Sequence, residues 1–262
     1  MKHLPNLLTL GNLFFGCIAI AFILNAQPFQ TVIGGQEYWV MGVQQAYLGS
    51  IFIGVAAICD LLDGPTARGL RVFSPIGKDL DSLADLVSFG VAPSMILFKM
   101  LWGAYASEPN ALDVQMLAMC PAFLVACFAA LRLAKFNNTS QEQKSSFQGL
   151  PTPAVGLFVA SFPLINLYNP YGLGLRLQSI WTLYIIIAIL CWLMVSRIRF
   201  FKLIPEKWSL KYSWPQIILI IITLAAIPVL QVAAIPLAII LYVLLSLVYK
   251  QPEDGTMSKA IS

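Results

Sequence analysis

Four aspartates carry the chemistry open to this chain. Asp60, Asp63, Asp81 and Asp85 lie within one short stretch of a sequence that is otherwise mostly hydrocarbon. Asp60 and Asp63 are three residues apart, so on a helix they share a face; Asp81 and Asp85 are four apart and share another. A carboxylate inside an apolar membrane segment is costly, about 2.5–3.5 kcal/mol on the milder scales, and by default it marks function. Two such pairs facing each other make a cage of hard oxygen ligands. That cage suits one or two divalent cations such as Mg²⁺, and phosphate is the usual companion of such a cation. Spacing alone also fits polar contacts between helices, or a path for cations or protons.

The elements that must position these carboxylates are membrane helices. The chain has 262 residues, 59% hydrophobic and 11% charged, with a mean hydropathy of +0.80, whereas a soluble domain carries about 25% charged residues. Its apolar runs are each roughly 17–25 residues long, which fits spanning helices rather than barrel strands. We expect an all-α polytopic bundle of about eight transmembrane helices, near 6–25, 44–64, 81–104, 115–135, 153–170, 178–196, 214–230 and 233–249. It reads as a single integral-membrane domain over 1–262, with its motif core at 60–85 and a flexible tail at 251–262.

The sixteen Lys and Arg are distributed unevenly. One side of the expected bundle holds Lys2, Arg68, Arg71, Lys78, Arg132, Lys135, Lys144, Arg197, Arg199, Lys202, Lys207, Lys211, Lys250 and Lys259; the other holds Lys99 and Arg176. That asymmetry predicts that both termini and the aspartates are cytoplasmic, which requires an even number of spans. The basic balance, confined to helix ends, points to anionic lipid and orientation and excludes a nucleic-acid partner. Cys17, Cys59, Cys120, Cys127 and Cys191 fall in apolar segments without a Cys-x-x-Cys pair, so they read as buried thiols. His3 is the only histidine, which disfavours a histidine base or a histidine metal site. The polar Asn6, Thr9 and Asn12 within the first apolar run argue against a secretory signal.

The aspartates belong to a longer pattern, Asp60-x2-Asp63-Gly64-x2-Ala67-Arg68-x8-Gly77-x3-Asp81-x3-Asp85, complete at all its fixed positions. It resembles the signature of the CDP-alcohol phosphotransferase family. The resemblance implies a six-helix core, here with two further helices, and a divalent cofactor, Mg²⁺ or Mn²⁺. By the same resemblance Asp60, Asp63 and Asp81 are metal ligands, and Asp85 is the general base and touches a second metal. Gly64 lacks a side chain, so a nucleotide can approach the backbone. Ala67 keeps that face low, and Arg68 offers a planar fork to phosphate or cytosine oxygens. Gly77 is expected to let the chain turn into the third span. Asp79, two residues from Asp81, points to nearly the opposite face and reads as solvated. Pro65 fits a helix that ends or kinks near the membrane surface.

Weaker matches point to one branch. Pro5-Asn6-x2-Thr9-x2-Asn12 sets polar side chains on one helical stripe, and Asn6 and Thr9 are expected on the nucleotide side. Leu131-Arg132-Leu133-Ala134-Lys135-Phe136-Asn137, Phe147-Gln148-Gly149-Leu150-Pro151-Thr152-Pro153, and Gly77-Lys78-x2-Asp81-Ser82-Leu83-Ala84-Asp85 look like the serine-using branch, the phosphatidylserine synthases. The resemblance implies CDP-diacylglycerol and L-serine as substrates, phosphatidylserine and CMP as products, direct displacement, a homodimer, and the cytoplasmic (inner) membrane of a bacterium. Arg132 and Asn137 are the expected serine contacts. Inositol phosphate, glycerol phosphate or choline remain alternative acceptors, and a cation or proton transporter remains the alternative from another class.

Overall fold

A computed structural model describes residues 4–25, 28–33, 36–41, 43–70, 75–108, 115–139, 147–201 and 214–249. Arg71, the middle of the polar loop with Lys144, the basic run at Lys202, Lys207 and Lys211, and both chain ends lie outside the described residues. The helices are α1 (Leu4–Asn25), α2 (Val43–Leu70), α3 (Pro75–Asp85), α4 (Ala92–Ala106), α5 (Leu124–Thr139), α6 (Thr152–Tyr168), α7 (Leu173–Leu177), α8 (Ile180–Val195), α9 (Trp214–Leu230) and α10 (Ala234–Val248). Leu86–Val91 is a π-helical turn joining α3 to α4, and Met116–Phe123 is a 3₁₀ lead into α5. The chain is therefore an all-α polytopic membrane protein in its main architecture.

Five helical stretches are long and apolar enough to cross a bilayer, or six if the pair Pro170–Leu177 and Ile180–Val195, bent by 88°, counts as one span. The expected eight segments all recur as helices. The difference in count lies in α6, 17 residues long, and in 214–248, a continuous helical run broken at Gln231, whose φ is +49°. At about 1.5 Å per residue the 28 residues of α2 run about 42 Å. That exceeds the roughly 30 Å hydrocarbon thickness, so the helix can carry its aspartate end to the surface.

The expectation for Pro65, an end or a kink, is narrowed, and that for Gly77 is corrected. Pro65 does not end α2, which continues for five more residues. Gly77 is not a turn but sits in the first turn of α3, which Pro75 opens. Proline suits that place because a first-turn N–H has no helical partner. The all-α reading also missed two small antiparallel pairings, β1 (Pro28–Ile33) with β2 (Gln36–Met41) and β3 (Phe147–Gln148) with β4 (Arg199–Phe200).

The core is built from helices drawn together by small residues. Ala92, Ile96, Leu97 and Leu101 of α4 are buried with Val155, Val159 and Phe162 of α6. A Cβ on Gly49 would lie 2.6 Å from Ile23 Cγ1, and one on Gly156 would lie 3.0 Å from Phe89 Cα. Close backbone approach of this kind drives packing where lipid removes the hydrophobic force between helices. The outward faces carry Leu7, Phe14, Ile58, Trp181, Ile185, Trp192 and Leu224, all exposed, as a lipid solvent requires.

Candidate active site

α1, the C-terminal part of α2 and α3 come together around the aspartates. Asp60 and Asp63 come from α2, Asp81 from α3. Their ligand oxygens all lie within 4.8 Å of one another, and all three residues are half-buried. Asp81 Oδ1 is buried without a hydrogen-bond partner among the described residues. Carboxylates only accept hydrogen bonds when ionised, and three crowded together repel. A hard divalent cation answers both problems, so the residues present fit one.

Asp85 is not in that close triad. It lies one turn deeper on α3, only 8% exposed, and its carboxyl meets that of Asp60 within hydrogen-bonding reach. Asn12 Nδ2 donates to Asp85 Oδ1 at 3.0 Å. The π turn begins directly after Asp85, and the Ala92 N–H bonds back to Val87 O, five residues earlier. Pro93 explains it: proline has no N–H and its ring crowds the carbonyl four residues back, so the helix takes in one extra residue. Ser88 in that turn donates to Asn12 O at 2.9 Å, which fixes α1 beside Asp85.

α1 supplies an inner wall. Its buried stripe is Pro5, Thr9, Asn12, Gly16, Ala19 and Ile23, a spacing of fours and threes that faces α2 and α3. The Thr9 hydroxyl stands 2.9 Å from Asp63 Oδ2 and 3.1 Å from Pro5 O, so its one proton serves either. Asn6 sits beside this stripe rather than on it, half-buried, whereas Asn12 reaches the Asp85 carboxylate. Its spacing marks Asn12 only as a polar residue of the stripe; its link to Asp85 spans 73 positions.

The face expected to take the nucleotide is open among the described residues. A Cβ on Gly64 would meet nothing closer than Arg68 Nη1, at 3.5 Å. The protein's own packing therefore does not require glycine there, and the exposed Arg68 guanidinium lies directly over it. Ala67 is half-buried on the same helix and Gly77 half-buried at the start of α3, while Asp79 is exposed as expected.

On the other flank, Arg132 of α5 is 9% exposed. Its Nη1 donates to Thr152 Oγ1 at 2.7 Å, its Nε has no partner among the described residues, and Asp85 lies within its electrostatic range. It lines a cavity of about 280 Å³ with Leu131, Lys135, Gln148, Met194 and Ser196. Asn137 is not in that cavity lining. Its Nδ2 donates to Ser82 Oγ at 2.8 Å, and Lys78 Nζ donates to its carbonyl at 2.9 Å. Asn137 thus ties the end of α5 to the helix that carries Asp81.

These features agree with what the chain resembles. The sequence pattern of the CDP-alcohol phosphatidyltransferase family matches residues 2–193. A CDP-diacylglycerol–serine O-phosphatidyltransferase of Helicobacter pylori is 30% identical over 93% of this chain and 89% of its own length. The enzyme of that name from Bacillus subtilis is 31% identical over 76% of this chain and 90% of its own; that from Saccharomyces cerevisiae is 38% identical over 58% and 50%. A pattern spanning most of the chain, with the aspartate cluster assembled at its centre, identifies this chain as a member of the CDP-alcohol phosphatidyltransferase family.

Proposed function

We propose that this chain transfers the phosphatidyl group of CDP-diacylglycerol to the hydroxyl of L-serine, releasing CMP, as one integral-membrane catalytic domain. The observation that carries the reading is the aspartate triad with the deeper Asp85, whose carboxyl meets Asp60 and stands within electrostatic range of the Arg132 that lines the cavity. Relatives that bear the name of this activity support it.

Asp60, Asp63 and Asp81 would hold the divalent cation, Mg²⁺ or Mn²⁺, which supplies charge neutralisation for the pyrophosphate when bound. Gly64 and Ala67 leave room for the nucleotide, and Arg68 offers two parallel N–H donors to it. Thr9 keeps Asp63 turned toward the triad, while Asn6 and Gly77 would complete the nucleotide surface. Asp85, held by Asn12, takes the proton from the serine hydroxyl. The serine oxygen then bonds to the phosphorus that carries diacylglycerol, and the bond from that phosphorus to the CMP oxygen breaks. Arg132 would pair with the serine carboxylate through its free Nε–H, and Asn137 acts by holding Ser82 and α3 in place. The usefulness of Asp85 as a base then comes from its position one turn from Asp81 rather than from its basicity.

The basic residues at the site's end of the bundle support a cytoplasmic active site in a bacterial inner membrane. A homodimer is the assembly that family resemblance supports. The test is an acceptor panel. Purified protein with CDP-diacylglycerol, Mg²⁺ or Mn²⁺, and serine, inositol phosphate, glycerol phosphate or choline in turn should release CMP with serine. CMP release with another alcohol alone would replace serine as acceptor. Ion flux across proteoliposomes without CMP release would favour transport.

A further inference from the structure

The last two helices lie beyond the family-matched region, which ends at residue 193, yet one of them packs against the strand paired with a residue of the cavity's wall. Tyr242 of α10 is 4% exposed, and its hydroxyl donates to Phe201 O at 2.9 Å. Its ring packs against Phe201 edge-on, centroids 4.9 Å apart, and against Phe200 at 5.4 Å. Phe200 belongs to β4, where it pairs with Phe147, and Arg199 pairs with Gln148. Gln148 lines the cavity beside Arg132. The clip is closed by Gly149 N–H to Ile198 O and Leu150 N–H to Leu193 O, both at 3.0 Å. Gly149 has φ +78°, and a side chain there would strike the Met194 carbonyl, so the crossing admits only glycine. Arg132 and Tyr242 also stand within electrostatic range of each other.

We infer that Tyr242 is a positioning residue for the acceptor pocket: through Phe200 and Phe201 it holds the β3–β4 clip that sets Gln148 against Arg132. The inference rests on the acceptor reading above. In this chain the added helix pair then does more than anchor the protein. It buttresses the wall against which a small amino acid is oriented, while leaving the triad and the nucleotide surface alone.

The test is Tyr242→Phe in the full chain, which removes one hydroxyl and keeps the ring. Two quantities are read: amide hydrogen exchange of the segments 147–150 and 198–201, and kcat and KM for serine at saturating CDP-diacylglycerol. Exchange in the clip should quicken. KM for serine should rise about fivefold, the size of one lost neutral hydrogen bond, with kcat and the KM for CDP-diacylglycerol within about twofold. Unchanged exchange overturns the inference, as does quicker exchange with an unchanged serine KM. A fall in kcat at constant KM also overturns it, since that is the mark of general damage. If the wild type uses another acceptor, the acceptor reading fails first, and the KM for that acceptor then decides whether the clip sets the pocket.

Discussion

Asp81→Asn should abolish activity and yet make the metal-free protein more resistant to heat. The three ligand oxygens of Asp60, Asp63 and Asp81 lie within 4.8 Å of one another. At that distance, two full charges in an effective dielectric of about 20 repel by about 3.5 kcal/mol. Asp81 faces two such neighbours, so with all three fully charged the repulsion relieved comes to about 7 kcal/mol or more on the same scale. Protons shared among the carboxylates and water at the half-buried site reduce this, leaving about 1–2 kcal/mol as the realised gain. A shift of roughly 2–4 °C per kcal/mol then puts the variant about 2–8 °C above the wild type in EDTA. Saturating Mg²⁺ or Mn²⁺ should reverse the order. A ligand at a hundred times its Kd adds about 2.7 kcal/mol to the wild type and little to the variant. Thermal unfolding in detergent, with EDTA and across a metal titration, reads both effects. An Asp81→Asn protein that melts earlier than wild type in EDTA, or that gains as much from metal, would refute the assignment of the triad as a cation site.

Further outcomes follow from other parts of the site. Arg68→Lys keeps the charge over Gly64 but loses the fork, so the KM for CDP-diacylglycerol should rise roughly 10- to 100-fold, the size of a lost charge-assisted hydrogen bond; equal use of the lipid by both forms would reduce Arg68 to an orientation signal. Arg132→Ala should raise the serine KM by about the same factor and spare CDP-diacylglycerol binding, and an unchanged serine dependence would return Arg132 to a structural tie with Thr152. Gly156→Ala would push a methyl to 3.0 Å from the Phe89 backbone. It should cost about 1–3 kcal/mol of stability, and an unchanged melting temperature would mean that the π turn yields freely.

The aspartate site was legible because its signal is local. Three- and four-residue spacings define faces on helices, and carboxylates stand out in a hydrocarbon sequence. The eight helical segments were legible for the same reason: apolar runs of sufficient length admit few other structures in lipid. What stayed hidden depends on distant partners. Asn12 and Asp85 are 73 positions apart, and residue type alone put Asn6 on the polar stripe where the packed face runs Pro5, Thr9 and Asn12. Asn137 carries the polarity of a ligand contact, but Ser82 and Lys78 claim it for joining helices. The π turn follows from Pro93, whose effect could as well have been a kink. Gly77 read as a hinge because glycine permits turns, yet Pro75 had already opened the helix. The two-residue β3 and β4 are too short for any alternation to announce them.

The account's central claim is that Asp85 passes a serine proton while the phosphatidyl group changes hands at the aspartate cluster. Isotope-labelled serine, CDP-diacylglycerol and Mg²⁺ or Mn²⁺, supplied to wild type and to Asp85→Asn, test it together. Wild type should place label in an extractable phospholipid and release CMP in equal amounts. Asp85→Asn should still bind CDP-diacylglycerol and metal, yet form both products about 10²- to 10⁴-fold more slowly, the range expected for a lost general base. Label entering lipid at a near-normal rate in Asp85→Asn, or CMP released from wild type without labelled lipid, would contradict the account.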